Sequence, residues 1–181
     1  MICTAQDALA YVQGLQGEWP HALASREITM RAFEGSDNRL IPMVNDPGLA
    51  EALLETGQVE EAGRTARDVL EINRKSKSPI PEARTLRVLG RIHAHLEEFD
   101  AAEKAYADAV KLCEEWDSQL IMGRILLDSA SLQAAHESKQ AAAATLQRSL
   151  EIFEPAGAKF WIDRARAALD QLTLQGVPRD G

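Results

Sequence analysis

The side chains in this sequence that are best suited to bind a ligand are arginines that share one helical face. Arg84, Arg87 and Arg91 are spaced by three and four residues, and His95 continues the series. On a helix this spacing places the four side chains on one face, opposite a face of leucines. None of the three arginines has a carboxylate three or four residues away in the sequence. Because a planar guanidinium group binds carboxylates through paired hydrogen bonds, the pattern indicates a carboxylate-binding surface.

Residues that could support catalysis or cofactor binding form no such pattern. The sequence contains neither a GxGxxG nor a GxxxxGK[ST] phosphate loop, and it lacks a GxSxG nucleophile motif. His93 and His95 form a close pair, but helical residues two apart point about 200° away from each other and cannot share a metal. His93 is expected to pack, and Cys113 to be a small core residue. We therefore expect no catalytic activity, no metal and no cofactor.

Composition and charge narrow the class of protein and of partner. The chain has 181 residues, 45% of them apolar, which suits one globular domain. Its net charge of -8 disfavours a nucleic-acid partner. The sequence has no apolar run of the roughly 18 residues that a bilayer-spanning helix needs, and no signal-peptide pattern begins it. The two cysteines, Cys3 and Cys113, occur in no paired motif, so we expect a reduced, cytoplasmic setting.

Apolar residues at spacings of three and four predict an all-α protein of about nine helices. A helix pair is expected in residues 1–34, and a linker rich in proline and glycine in residues 35–48. Repeat helices are then expected in residues 49–174, and the last of these helices looks like a polar cap. Residues 175–181 are expected to fray. Within the linker, Asp46 and Pro47 resemble a helix N-cap followed by a first-turn proline.

Residue types recur every 40 positions along the helical region. Ala62, Ala102 and Ala142 form one such series, and Leu70, Val110 and Leu150 form another. Small residues recur where helices would touch and large ones where a core would fill. A helix pair of this kind cannot bury its apolar face alone, so the pattern predicts a right-handed superhelix of stacked pairs. In the same register, Arg124 and Arg164 are the equivalents of Arg84.

The order of residues within each copy resembles the tetratricopeptide repeat (TPR). The residues that carry the resemblance in the best copy are Leu86, Leu89, Gly90, His93, Phe99, Ala102, Tyr106, Ala109 and Val110. The period of 40 exceeds the common 34, which indicates longer helices. Long-helix arrays of this kind are similar to those of bacterial signalling proteins such as STAND-type ATPases, adenylate-cyclase-linked arrays and LuxR/MalT-like regulators.

The resemblance implies that the first helix of each pair lines a concave groove. The groove residues expected to contact a partner are Arg84, Arg87, Arg91, His95, Arg124 and Arg164. Two explanations of the arginines stay open at this point. They could clamp the carboxylates of an acidic peptide or chain terminus. Alternatively, Arg87 and Arg91 could pair with Glu51 and Glu55 of the preceding repeat.

We therefore expect a non-catalytic protein-interaction module, an adaptor or sensor that binds a peptide or partner helix. The alternative is a regulatory segment of a larger bacterial signalling ATPase, cyclase or transcription regulator. The apolar ends of a stack would also suit homodimer formation. Among the tryptophans, Trp116 and Trp161 are expected to fill seams between repeats, and Trp19 to close the N-terminal turn.

Overall fold

The computed structural model describes residues 2–33, 46–136 and 138–174. The predicted linker at 35–48 lies outside the described residues except for its last three, and the predicted frayed tail at 175–181 lies wholly outside them. The side chain of Cys3 is outside them as well. In the described part of the chain, no helix is both long and apolar enough to cross a bilayer.

The described residues form nine helices and no strand, which confirms the predicted all-α fold of helical repeats. The helices are α1 (Ile2–Leu15), α2 (Trp19–Phe33), α3 (Gly48–Glu55), α4 (Val59–Lys75), α5 (Pro79–His95), α6 (Phe99–Glu115), α7 (Gln119–His136), α8 (Lys139–Phe153) and α9 (Lys159–Leu174). Helix α5 contains both Pro79 and Pro81 in its first turn. Proline is tolerated there because the N–H groups of a first turn have no helical partner.

A left-handed residue follows the last turn of most helices, and its spacing explains the 40-residue repeat. Positive φ occurs at Gly17, Gly57, Lys77, Glu97, Asp117 and Gly157, always at separations of 20 residues or a multiple of 20. At one such turn the N–H of Glu97 donates to the carbonyl of Ala94 (3.2 Å), and the N–H of Glu98 donates to that of His93 (2.9 Å). These two bonds define a Schellman motif. Helix plus turn thus takes 20 residues, and a helix pair takes 40.

The chain consists of two compact units, a first unit of Met1–Ile92 and a second unit of His93–Gly181. The core of the first unit lies among α3, α4 and α5, where small residues of α4 pack against larger ones of its neighbours. Its buried members are Ala50, Leu53, Leu54, Ala62, Ala66, Val88, Leu89 and Ile92. Because Ala62 and Ala66 are four residues apart, they form a narrow stripe that lets helices approach closely.

The core of the second unit lies among α7, α8 and α9. Its buried members are Leu127, Ala130, Leu146, Leu150 and Ala165, with Trp161, Ile162, Ala168, Leu169 and Leu172 packed around them. Trp161 therefore fills a seam between helices, as predicted.

The remaining two tryptophans differ from each other. A Cβ atom built on Gly14 would lie only 2.8 Å from Trp19 Cζ3, so Trp19 packs closely on α1 and closes the N-terminal turn as expected. The prediction for Trp116 is wrong, because this residue is the C-cap of α6 and is 61% exposed. A position just past a helix end, next to the turn residue Asp117, directs its ring to solvent and not into a seam.

Candidate functional site

The three arginines of α5 form ion pairs with acidic residues at and near α3, all within the first unit. Arg87 Nη2 donates to Glu51 Oε1 at 2.6 Å, and Arg91 Nη1 donates to the same oxygen at 2.9 Å. Arg91 also pairs with Glu55. The pairing of Arg87 and Arg91 with Glu51 and Glu55, one of the two explanations considered above, is therefore present in the structure.

Asp46 extends this network at the start of α3. Its carboxylate accepts the backbone N–H of Gly48 at 2.7 Å. The N-cap of α3 is Pro47 and not Asp46, so the predicted N-cap position is wrong by one residue. The same carboxylate accepts a hydrogen bond from Arg84 Nη2 at 3.0 Å and lies 3.7 Å from a guanidinium nitrogen of Arg26 in α2. Asp46 thus connects α2, α3 and α5. The sequence suggested only its capping role, because both arginines are distant in sequence.

Burial distinguishes the members of this first-unit network. The side chain of Arg87 is only 6% exposed, and that of Glu51 is 16% exposed. A charge so deeply buried is tolerated only with close partners, because removing it from water costs several kcal/mol. Arg87 is therefore the most buried member of the network and is held by Glu51, while Arg84 and Arg91 keep partial access to solvent.

Arg124 and Arg164 have different surroundings, in the second unit. The guanidinium carbon of Arg124, on α7, lies 4.6 Å from the ring centroid of Trp161 on α9. That of Arg164 lies 5.9 Å from the same ring and 5.6 Å from the ring of Phe160. These four residues are called the arginine–tryptophan cluster below. A guanidinium over an aromatic face is attracted by the ring quadrupole, most strongly over tryptophan.

The ring of Trp161 is held in place from two sides. It stacks on the fully buried ring of Phe153, with the two ring centroids 6.2 Å apart. It also meets Phe160 edge-on, with a centroid distance of 4.8 Å. Phe160 itself is 38% exposed. Arg164 is exposed and forms no ion pair with any residue that the structure describes. The cluster therefore combines fixed aromatic rings with an accessible positive charge.

A cavity of about 200 Å³ lies near this cluster, between the same helices. Its lining residues are Ala130, Ser131 and Ala134 of α7, Leu146 of α8, and Ala168, Gln171 and Leu172 of α9. Ala130 and Leu146 are buried, whereas Ser131 and Gln171 are exposed. The cavity thus has an apolar base and a solvent-accessible polar rim.

The 40-residue register relates the two units residue by residue. Glu51, Arg91, Ser131 and Gln171 are equivalent positions, and so are Arg87 and Leu127. In the first unit these positions hold ion pairs between α3 and α5. In the second unit they carry neutral side chains, and the cavity lies between α7 and α9. The two units therefore present different chemistry at equivalent surfaces.

The other residues considered in the sequence analysis are His95, His93 and Cys113. His95 is exposed on the last turn of α5. His93 is half-buried and packs less completely than expected, with Nδ1 2.5 Å from Glu98 Oε2. Cys113 is fully buried, as predicted, and its burial and the neighbouring Glu114 carboxylate raise the pKa of its thiol to about 11. Among the described residues no three His, Cys, Asp or Glu side chains are grouped as metal ligands.

Comparison with known proteins supports the repeat architecture. Residues 40–115 match the family model of the tetratricopeptide repeat. No curated protein sequence matches the chain. The fold is similar to that of BtubC (BKLC) from P. vanneervenii, with a TM-score of 0.60 and 15% identity over 97% of this chain and 82% of that one. It is also similar to a putative kinesin light chain of Podosopora anserina with nearly identical TPR-like repeats, with a TM-score of 0.55 and 14% identity over 97% and 96% of the two chains.

At such low identities these structures show the fold alone. Repeats of this kind generally mediate protein–protein interactions and generally serve as non-catalytic scaffolds. The matched repeat region, the nine described helices and the similar solved structures agree with each other. Residues 40–115 therefore match the tetratricopeptide repeat, and the described helices have the fold of tetratricopeptide-repeat structures.

Proposed function

We propose that this chain is a non-catalytic interaction module, an adaptor or sensor that captures acidic peptide segments on its second unit. The observation that carries the proposal is the placement of Arg124 and Arg164 on the ring of one tryptophan, Trp161. Two guanidinium groups beside a fixed aromatic surface suit a peptide that bears a carboxylate. This arrangement is well matched to protein recognition, in which arginine and tryptophan supply much of the binding free energy.

Stacking leaves a guanidinium group competent to bind an anion. Its N–H donors lie in the guanidinium plane, so they point sideways from the ring and remain directed at groups beside it. The aromatic ring restricts the arginine side chain before a ligand arrives, which lowers the conformational entropy lost on binding. Because Arg164 is exposed, a ligand carboxylate would reach it without displacing an acidic residue of the described chain.

The arginines of the first unit have a different role from those of the second. Glu51 and Glu55 already occupy Arg87 and Arg91, and Asp46 occupies Arg84. An acidic ligand would have to displace these carboxylates, and a buried charge such as Arg87 binds its partner tightly. We therefore propose that Arg84, Arg87 and Arg91 stabilise the first unit. Ligand contact falls on the second unit, where the exposed Arg164 would bind the carboxylate and Arg124 lies beside the same tryptophan ring.

Selection from a library of random 12-residue peptides displayed on phage tests this function. Wild-type protein should enrich peptides rich in Asp and Glu, and the Arg124→Gln/Arg164→Gln variant should lose that enrichment. Arg148→Gln is the matched control, because Arg148 is exposed on α8 outside the cluster. Enrichment without acidic residues, or acidic enrichment that survives in the double variant, would refute the proposal. Charge reversal of Arg87 and Arg91 separates the two arginine groups, since we expect lost stability to accompany any loss of binding.

The exposed face of α1 suits self-association. Leu9 and Val12, three residues apart, are each 46% exposed, whereas α9 presents charged residues such as Arg166 and Asp170 to solvent. We propose that two copies associate through their α1 faces, because like apolar faces match and the charged face of α9 does not complement them. Light scattering at increasing protein concentration should show a dimer, and Leu9→Glu/Val12→Glu should keep the chain monomeric. An unchanged dimer in that variant would exclude the α1 face.

A further inference from the structure

We infer that the second unit selects peptides by two features at once, a carboxylate and an apolar side chain three residues away from it. This inference rests on the proposed function and specifies its ligand. The arginine–tryptophan cluster would bind the carboxylate, and the cavity between α7 and α9 would take the apolar side chain. Peptide segments in extended conformation would bridge the two.

The two subsites lie along the same pair of helices. Both α7 and α9 contribute to the arginine–tryptophan cluster, through Arg124 and Arg164, and both contribute to the cavity rim, through Ser131 and Gln171. Each helix therefore places an arginine seven residues before a rim residue. Seven residues of helix correspond to about 10 Å along the axis.

That separation sets the spacing in the ligand. An extended peptide advances about 3.3 Å per residue, so about 10 Å corresponds to three residues. A carboxylate at one position and an apolar side chain three positions away would therefore reach both subsites together. Helical ligands would need about seven residues for the same distance, which makes the predicted spacing a marker of extended binding.

The chemistry of the cavity fits an aliphatic side chain. Alanine and leucine side chains form its base and walls, so an aliphatic group would enter without losing hydrogen bonds. The exposed rim residues, Ser131 and Gln171, carry donors and acceptors at the level where a peptide backbone would pass. In the first unit the equivalent positions include Glu51 and Arg91, whose ion pair occupies this space.

Fluorescence anisotropy with synthetic peptides tests the inference on the intact chain. The probe is fluorescein-labelled Gly-Ser-Glu-Ala-Ala-Leu-Ser-Gly, and its reverse-order counterpart has Leu first and Glu three residues later. We expect one of the two orders to bind. Replacing Glu by Gln, Leu by Ala, or the spacing of three by one should each weaken that binding about tenfold. These changes alter only the peptide, so they test the inference even if a protein variant fails to fold.

Two protein variants separate the subsites. Arg164→Gln should abolish the preference for Glu over Gln but keep the preference for Leu over Ala. Ala134→Leu, which narrows the cavity, should abolish the preference for Leu over Ala but keep the preference for Glu over Gln. Arg148→Gln should change neither preference. Equal affinity of the Leu and Ala peptides for wild-type protein, or no binding of either order, would overturn the inference. Acidic enrichment in the phage selection without the three-residue spacing would overturn it too, while leaving the proposed function intact.

Discussion

Replacing Glu51 by glutamine should destabilise the first unit far more than the same change at Glu55. Glu51 accepts hydrogen bonds from both Arg87 and Arg91, and the side chain of Arg87 is 94% buried. Removing one partner of a buried ion pair typically costs about 3 kcal/mol, because the remaining charge loses its compensation in a region of low polarity. Glu55 is exposed and, among the described residues, pairs with Arg91 alone, so its replacement should cost at most about 1 kcal/mol.

Urea unfolding followed by far-ultraviolet circular dichroism measures both free energies. The variant Glu51→Leu/Arg87→Met supplies the control, because replacing both charges by apolar groups of similar size removes the uncompensated charge. This double variant should recover most of the loss seen in Glu51→Gln. If Glu51→Gln is no more destabilising than Glu55→Gln, or if the double variant is worse than the single one, the network does not stabilise the first unit as described.

Four further substitutions test the turns, the core and the buried thiol. Glu97→Gly should stabilise the chain by about 0.5–1 kcal/mol and Gly57→Ala should destabilise it by about as much, because both residues have positive φ; a destabilising Glu97→Gly or a stabilising Gly57→Ala in urea unfolding would contradict the turn assignment. Gly123→Ala should cost about 1–3 kcal/mol by the same measurement, since the new Cβ would lie 2.7 Å from the buried ring of Phe153; a neutral effect would show that α7 and α8 separate easily. Between pH 8 and pH 10 the chain should lose about 1 kcal/mol of stability that a Cys113→Ala variant does not lose. The folded thiol, with its pKa raised to about 11, stays protonated while the unfolded thiol, near 9.0, ionises; equal losses in both proteins would contradict this pKa.

The sequence predicts the helices well because their apolar spacing is regular. The 40-residue register also identified Arg164 and Arg124 as equivalent positions. Glu51 and Glu55 could be named as partners of the arginines, since the repeat places helices α3 and α5 side by side. These successes share one cause, which is that a repeat transfers information between equivalent positions.

Features that depend on three-dimensional packing could not be predicted in this way. The left-handed turns at Lys77, Glu97 and Asp117 lack the glycine that usually marks such a conformation, and only the structure shows their 20-residue spacing. Asp46 lies at the end of a segment whose apolar pattern is weak, so its contact with Arg84 could not be predicted from the sequence. The sequence places Trp161 and Arg164 three residues apart, which suggests contact, but the approach of Arg124 requires the packing of α7 on α9. The exposure of Trp116 likewise depends on where one helix ends.

The emission of Trp161 offers the most direct test of the central claim that peptides bind at the arginine–tryptophan cluster. The chain has three tryptophans, so Trp19→Phe/Trp116→Phe leaves Trp161 as the single emitter. Titration with the unlabelled Glu-Ala-Ala-Leu peptide, in the order that binds, should change this emission saturably. The Kd should equal that from anisotropy, measured on the same variant. Binding detected by anisotropy without any change in Trp161 emission would place the peptide elsewhere and contradict the claim.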